Sequence, residues 1–249
     1  MNGPAYEQSG NIAELVERIT KSRNAVVFTG AGMSTESGLS DFRSKNGLWN
    51  VEDPMELATT SAMRGNYDKF HAFYARRFEL MGEAEPNEGH RILAELESRG
   101  FVKCVITQNI DGLHAAAGSK TVYELHGSVG CVRCMECGEP STRQNFTGRT
   151  PCAVCGGKLR PGVVLFGEGL PADVLEASFS ASEKSDVFIV LGSSLQVSPA
   201  NQMPGIAKRC GAYVAICNRD VTVMDNLANY RTFEGIGDFM TGLKALLGY

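Results

Sequence analysis

Six short apolar runs punctuate the chain, at Ala25–Thr29, 102–107, 121–125, 163–166, Val187–Leu191 and Tyr213–Cys217. Runs this short and this continuous read as strands buried on both faces. Helix-patterned stretches lie between several of them, so the fold class is α/β, a parallel sheet with helices on both sides. Asn11 caps a helix whose Ile12, Leu15, Val16 and Ile19 fall at i, i+3, i+4 and i+7. Pro86 opens a second helix through Ile92, Leu93 and Leu96, and Gly100 stops it. Further helices are predicted over Ala172–Lys184, 204–210 and 237–247. Ligands of such sheets bind where the strands end. The loops after Thr29, Thr107, Leu125, Leu191 and Cys217 therefore border one predicted crevice.

Two stretches break the alternation. Residues 46–85 are helical and aromatic (Trp49, Phe70, Phe73, Tyr74, Phe78), and residues 131–159 are rich in cysteine and glycine. Both read as insertions that build a small lobe. The large domain is then 1–45, 86–130 and 160–249, and 249 residues suffice for one large domain with a module. A net charge of −4 leaves no electrostatic footprint for nucleic acid. No apolar run approaches the ~20 residues that span a bilayer, and residues 1–7 lack the basic and apolar regions of a secretory signal. A cytoplasmic monomer that binds neither nucleic acid directly nor membrane is expected.

The loop after the first strand, Gly30-Ala31-Gly32-Met33-Ser34-Thr35-Glu36-Ser37-Gly38-Leu39-Ser40-Asp41-Phe42-Arg43, carries three glycines and four small hydroxyl residues. Its backbone can approach a phosphate closely. The fingerprint G-x-G-x-x-G, started at Gly30, wants its third glycine where Thr35 stands, so the ordinary dehydrogenase reading fails. The row Asp41-Phe42-Arg43 points to a loop that both binds and covers a ligand.

Cys134-x-x-Cys137-Gly and Cys152-x-x-Cys155-Gly are two knuckles separated by 14 residues. Each turn puts two thiolates on one side of a tight loop, and two turns complete a closed four-thiolate shell for structural zinc. A redox dithiol pair is the other reading. Cys131 is left unbound. Cys104, Cys210 and Cys217 read as core, and His71 and His90 as surface residues.

Gln108-Asn109-Ile110-Asp111 follows a strand and places amide and carboxylate groups at its mouth, although asparagine and aspartate also form ordinary turns. His126 ends another strand beside Gly127; such a histidine is either a satisfied structural residue or a base at the crevice. Gly192-Ser193-Ser194, between a strand and a helix, offers backbone N–H groups to phosphate, and Asn218 could hydrogen-bond a ribose.

Taken in order, Gly30-Ala31-Gly32-Met33-Ser34, Asp41-Phe42-Arg43, Thr107-Gln108-Asn109-Ile110-Asp111, His126-Gly127, the two cysteine pairs, Phe166-Gly167-Glu168 and Gly192-Ser193-Ser194 resemble the sirtuins, NAD-dependent protein-lysine deacylases, over nearly the whole chain. The resemblance implies a Rossmann-like NAD-binding domain and a small lobe of helical module plus zinc ribbon, with NAD and acyl-lysine meeting between them. It implies that the acyl-lysine carbonyl oxygen attacks C1′ of the nicotinamide ribose and expels nicotinamide. His126 then acts as general base on the ribose hydroxyls, and the products are lysine, nicotinamide and 2′-O-acyl-ADP-ribose.

The same resemblance implies the remaining roles. Asp111 holds the nicotinamide carboxamide, and Asn109 positions ribose or water. Gly30, Ala31, Gly32, Thr35, Asp41, Phe42, Arg43 and Gln108 line the NAD cleft, Phe42 shielding C1′ and Arg43 facing phosphate. Gly192, Ser193, Ser194, Asn218 and Ile236 carry the adenosine half. Val164, Leu165, Phe166 and Gly167 pair with the backbone of an acyl-lysine protein or peptide, and Ile110 helps wall the lysine tunnel. Tyr74 and Arg77 form the Tyr-x-x-Arg that in one sirtuin branch binds succinyl- or malonyl-lysine, although Asp41 stands where that branch has threonine. Deacetylation leads; desuccinylation or demalonylation, and mono-ADP-ribosyl transfer onto protein, are the alternatives.

Overall fold

The computed structural model describes residues 9–45 and 47–248. Residues 1–8, Asn46 and Tyr249, and with them the outer ends of the segments 1–45, 46–85 and 160–249 and the leading residues 1–7, lie outside the described residues.

The strands are β1 (Ala25–Thr29), β2 (Cys104–Thr107), β3 (Val122–Glu124), β4 (Gly127–Cys134) and β5 (Pro140–Ser141). They continue with β6 (Leu159–Val163), β7 (Val187–Leu191), β8 (Tyr213–Cys217) and β9 (Tyr230–Thr232). Six of them form one sheet in the order β3-β2-β1-β7-β8-β9, parallel throughout. The strand order reverses between β1 and β7, and that switch point is where such sheets open a crevice at their carboxyl ends. The other three form a small antiparallel sheet, β5-β4-β6.

The helices are α1 (Ile12–Lys21), α2 (Pro54–Leu57), α3 (Thr60–Gly65), α4 (Tyr67–Glu83) and α5 (Glu88–Ser98). After them come α6 (Leu113–Ala117), α7 (Arg143–Thr147), α8 (Ala172–Lys184), α9 (Gln202–Arg209) and α10 (Ile236–Leu246). None of the described helices is long and apolar enough to cross a membrane.

Alternation along each central strand feeds two cores. Val27, Ile189, Leu191 and Ala215 face one side, against Leu15 and Ile19 of α1, Ile92, Leu93 and Leu96 of α5, and Phe239 and Leu243 of α10. Val26, Phe28, Phe188, Val190 and Ile216 face the other, against Val174 and Phe179 of α8 and Met203 and Ala207 of α9. A third core joins the two inserted stretches: Phe70, Tyr74 and Phe78 of α4 pack with Val132, Phe146, Cys152 and Leu159.

Several expectations need correction. Residues 163–166 are not a strand of the parallel sheet. The chain arrives at Val163 on β6, whose Pro161 and Gly162 hide it from propensity, and Phe166 then makes one parallel bridge to Thr59. Helix α5 is capped by Asn87 rather than opened by Pro86. The Asn87 side chain accepts from the His90 N–H at 3.2 Å, and the Asn87 N–H donates to His90 Nδ1 at 3.3 Å. His90 is consequently buried, and so is His71, whose Nε2 bonds the Phe146 carbonyl at 2.6 Å. Cys210, expected in the core, caps α9 and is exposed.

Candidate active site and metal centre

The β1 and β7 loops are pressed together at the switch point, and this contact explains their glycines. A Cβ on Gly30 would lie 2.7 Å from the Gly192 carbonyl oxygen, and one on Gly32 would lie 2.7 Å from the Gly192 Cα. Gly192 itself has φ +62°, and its Cβ would fall 2.4 Å from the Met33 nitrogen. The Gly32 N–H donates to the Gly192 carbonyl at 2.9 Å. Glycine is required here for loop-on-loop packing before any ligand arrives.

A cavity of about 380 Å³ opens from this junction towards the small lobe. Gly30, Ala31, Gly32, Asp41, Phe42 and Arg43 line it from the first loop, Gln108, Asn109, Ile110 and Asp111 from the loop after β2, and His126 from the end of the loop after β3. Gly192, Ser193, Ser194 and Asn218 line its far end, and Val164, Leu165, Phe166, Gly167, Tyr74 and Arg77 its small-lobe side. Two predicted contacts lie elsewhere. Thr35 spends its hydroxyl on the Gly32 carbonyl at 2.9 Å, and Ile236 is buried in the core below the loop.

His126 Nδ1 lies 2.9 Å from the Gln108 carbonyl oxygen. A carbonyl only accepts, so Nδ1 carries the hydrogen and neutral Nε2 keeps its lone pair, with no partner among the described residues. Burial holds the imidazole below its ordinary pKa, the Arg43 charge acts the same way, and the Gln108 bond opposes both. Gln108 is itself fixed, its side-chain amide donating to the Ser193 hydroxyl at 2.8 Å.

Asn109 and Asp111 meet through Ser34. The Ser34 hydroxyl donates to Asp111 Oδ2 at 2.7 Å and accepts from the Asn109 amide at 3.0 Å, while the Leu113 N–H donates to Asp111 Oδ1 at 2.9 Å. Burial pushes the Asp111 carboxyl above the usual range, against these hydrogen bonds. Ser34 was not singled out in the sequence. Its only signal there is its place four residues after Gly30, since its two partners lie 75 and 77 residues away.

The covering loop is held by aromatic contacts. Phe42 stacks on Trp49 at 5.0 Å between ring centroids, Trp49 stacks on Phe73 at 6.2 Å, and the Arg77 guanidinium lies 5.0 Å from the Phe42 centroid. The Asp41 carboxylate accepts from the Arg43 and Ser44 N–H groups at 3.1 and 2.9 Å, so it shapes the turn that presents Arg43. Arg43 is exposed at the surface of the loop, and the partial desolvation of its guanidinium lowers its pKa.

His114, three residues after Asp111, belongs to the interior. Its Nε2 bonds Thr29 Oγ1 at 2.9 Å, and its ring packs on His90 with centroids 4.8 Å apart.

Away from the cavity, the sulfurs of Cys134, Cys137, Cys152 and Cys155 all lie within 4.8 Å of one another, and neighbouring pairs are 3.4–3.6 Å apart. A disulfide needs ~2.05 Å. Four thiolates ~2.3 Å from one zinc lie ~3.8 Å apart, so the donor set fits tetrahedral Zn²⁺ with no open position. Cys131 is exposed and outside the cluster.

The family model described as the Sir2 family matches residues 30–199. An NAD-dependent protein deacetylase of Oceanobacillus iheyensis is 45% identical over 228 residues, 91% of this chain and 97% of that protein. Among solved structures, a Sir2 homologue–NAD complex superposes with a TM-score of 0.89 at 40% identity, covering 97% of this chain and 98% of that one. A Sir2–p53 peptide–NAD+ complex superposes with a TM-score of 0.86 at 34% identity, covering 94% and 98%. A shared sequence over nine-tenths of the length, the same fold and a built four-thiolate site leave one assignment: the chain belongs to the Sir2 family.

Proposed function

We propose that the protein is an NAD-dependent protein-lysine deacylase, acting first on acetyl-lysine, with one structural zinc. One observation carries the reading most directly. A single cavity joins an imidazole with a free Nε2, a serine-bridged Asn109–Asp111 pair and the segment of residues 164–167. Bound NAD supplies an electrophilic C1′ with nicotinamide as leaving group. The chain's own residues do the rest. Asp111 and Asn109 orient the nicotinamide end, and Phe42 excludes water from the reacting carbon. Arg43 faces the phosphates, and His126 Nε2 takes a proton from a ribose hydroxyl. Val164, Leu165, Phe166 and Gly167 hold the peptide, and Ile110 walls the lysine channel. Gly192, Ser193, Ser194 and Asn218 take the adenosine half.

The domain division belongs to the same reading: 1–45, 86–130 and 160–249 bind the dinucleotide, while 46–85 and 131–159 form the small lobe, in line with their shared core. A working monomer belongs to the same reading. Eight free cysteines support a reducing, cytoplasmic setting.

A second reading concerns the acyl group. Arg77 lines the cavity beside the Tyr74 phenol and has no carboxylate within ion-pair distance among the described residues. A succinyl or malonyl tail would supply one. The test is incubation with NAD and matched acetyl-, succinyl- and malonyl-lysine peptides, following nicotinamide and free lysine together. Lysine release in step with nicotinamide supports the proposal. Nicotinamide release with ADP-ribose on protein and no free lysine supports ADP-ribosyl transfer instead.

A further inference from the structure

Arg160 is 5% exposed, and its guanidinium makes four hydrogen bonds. Nη1 and Nη2 donate to Glu168 Oε1 and Oε2 at 2.5 and 2.9 Å, Nη2 also to the Val163 carbonyl at 2.8 Å, and Nε to the Pro161 carbonyl at 3.3 Å. Glu168 Oε2 in turn accepts the Leu165 N–H at 2.9 Å. One ion pair thus ties down both ends of the segment that follows β6.

The pair also takes one of the segment's backbone donors, and neighbouring loops take others. The Val164 N–H is taken by the His126 carbonyl, the Leu165 N–H by Glu168, and the Phe166 N–H and carbonyl by Ala58 and Thr60. The Leu165 carbonyl accepts from the Glu168 N–H. Among residues 164–167, the Val164 carbonyl and the two backbone groups of Gly167 are left without a partner in the described residues. With Arg160 buried and Glu168 part-exposed, the pair is a poor way to gain stability, because desolvation of the one and solvent screening at the other offset its attraction. What it does supply is a fixed geometry.

We infer that Arg160 and Glu168 are positioning residues for the acylated peptide, holding residues 164–167 so that a peptide pairs only at Val164 and Gly167. The inference rests on the deacylase reading and goes beyond it, since neither residue need touch the reacting atoms.

The experiment compares Glu168→Ala, Glu168→Gln and Arg160→Lys with the unsubstituted enzyme, measuring peptide KM, kcat, NAD affinity by calorimetry and amide exchange at Leu165. Glu168→Ala is expected to raise peptide KM at least about tenfold, with kcat within about threefold and NAD affinity unchanged. Leu165 exchange should quicken by a similar factor. Glu168→Gln keeps an oxygen for the Leu165 N–H and should fall between. Should Glu168→Ala fail to fold, Glu168→Gln and Arg160→Lys carry the same comparison. A peptide KM within twofold of the unsubstituted value in folded variants overturns the inference, as does parallel loss of NAD binding. Failure of the deacylase reading looks different: the unsubstituted protein then frees no lysine at all, and the peptide role of the pair falls with it.

Discussion

At the scale of single residues, His126 is tuned by two neighbours that pull in opposite directions. Burial and Arg43 disfavour the imidazolium, and the Gln108 carbonyl favours it, with the net pKa below the ordinary value. A base must be neutral to accept a proton, so deacylation should persist below pH ~6.5 before its acidic limb appears. A pH profile of kcat/KM checks this; a limb centred well above 6.5 contradicts it. His126→Ala should lower kcat by about 10²–10⁴-fold with NAD affinity and zinc content retained. Ser34→Ala leaves the Asn109 amide and the Asp111 carboxylate each short of a partner, a loss of ~1–3 kcal/mol, or roughly 5- to 150-fold in kcat/KM. Steady-state kinetics against the unsubstituted enzyme measures it. His126 was legible in the sequence because it closely follows a strand at the crevice and stands beside Gly127. Ser34 was not, because its role exists only once two distant loops meet.

Elements show the same boundary between local and distant information. Strands β1, β7 and β8 are apolar along their whole length and were readable to the residue, since both faces are buried. Strands β4 and β6, GSVGCVRC and LRPGV, carry glycine, proline and cysteine against strand propensity, and the zinc knuckles and the third core hold them in place. Replacing Cys155 by serine opens the thiolate shell. Zinc should fall from one per chain towards none, the small lobe should lose amide protection, and deacylation should disappear. Metal analysis with an activity assay reads both, and full activity without zinc would contradict the structural role. Gly192→Ala adds a backbone clash to an unfavourable φ and should destabilise by at least ~1–3 kcal/mol. Gly100→Ala at φ +82°, with open space around it, should cost less. Thermal unfolding of the two variants separates packing from conformation.

For the molecule as a whole, acid should act through two interior histidines. Burial lowers His90 to about 4 and His114 to about 3, and each ring has one nitrogen without a partner. Between pH ~6.5 and those values the unfolded chain binds more protons than the folded one, so stability falls as pH drops through that window. Above pH ~6.5 the pair contributes no pH dependence. Urea unfolding at pH 7, 5.5 and 4.5 should show the decline, and His90→Gln should flatten it. The pair also marks where sequence reading ended: a histidine on a helix looks like a surface residue until the capping box at Asn87 turns it inward. The parallel sheet, by contrast, followed from five of the six apolar runs; the sixth, 163–166, lies outside it, and β9, only three residues long, carried no comparable signal.

The central claim is that the cavity at the β1–β7 switch point brings an acyl-lysine and the nicotinamide ribose together beside His126. A crystal structure of the protein with an acetyl-lysine peptide and a non-reactive NAD analogue tests it most directly. The account predicts the amide oxygen facing C1′ under Phe42, with His126 Nε2 at the ribose hydroxyls. A dinucleotide bound elsewhere, or a peptide that never enters beside residues 164–167, would contradict it.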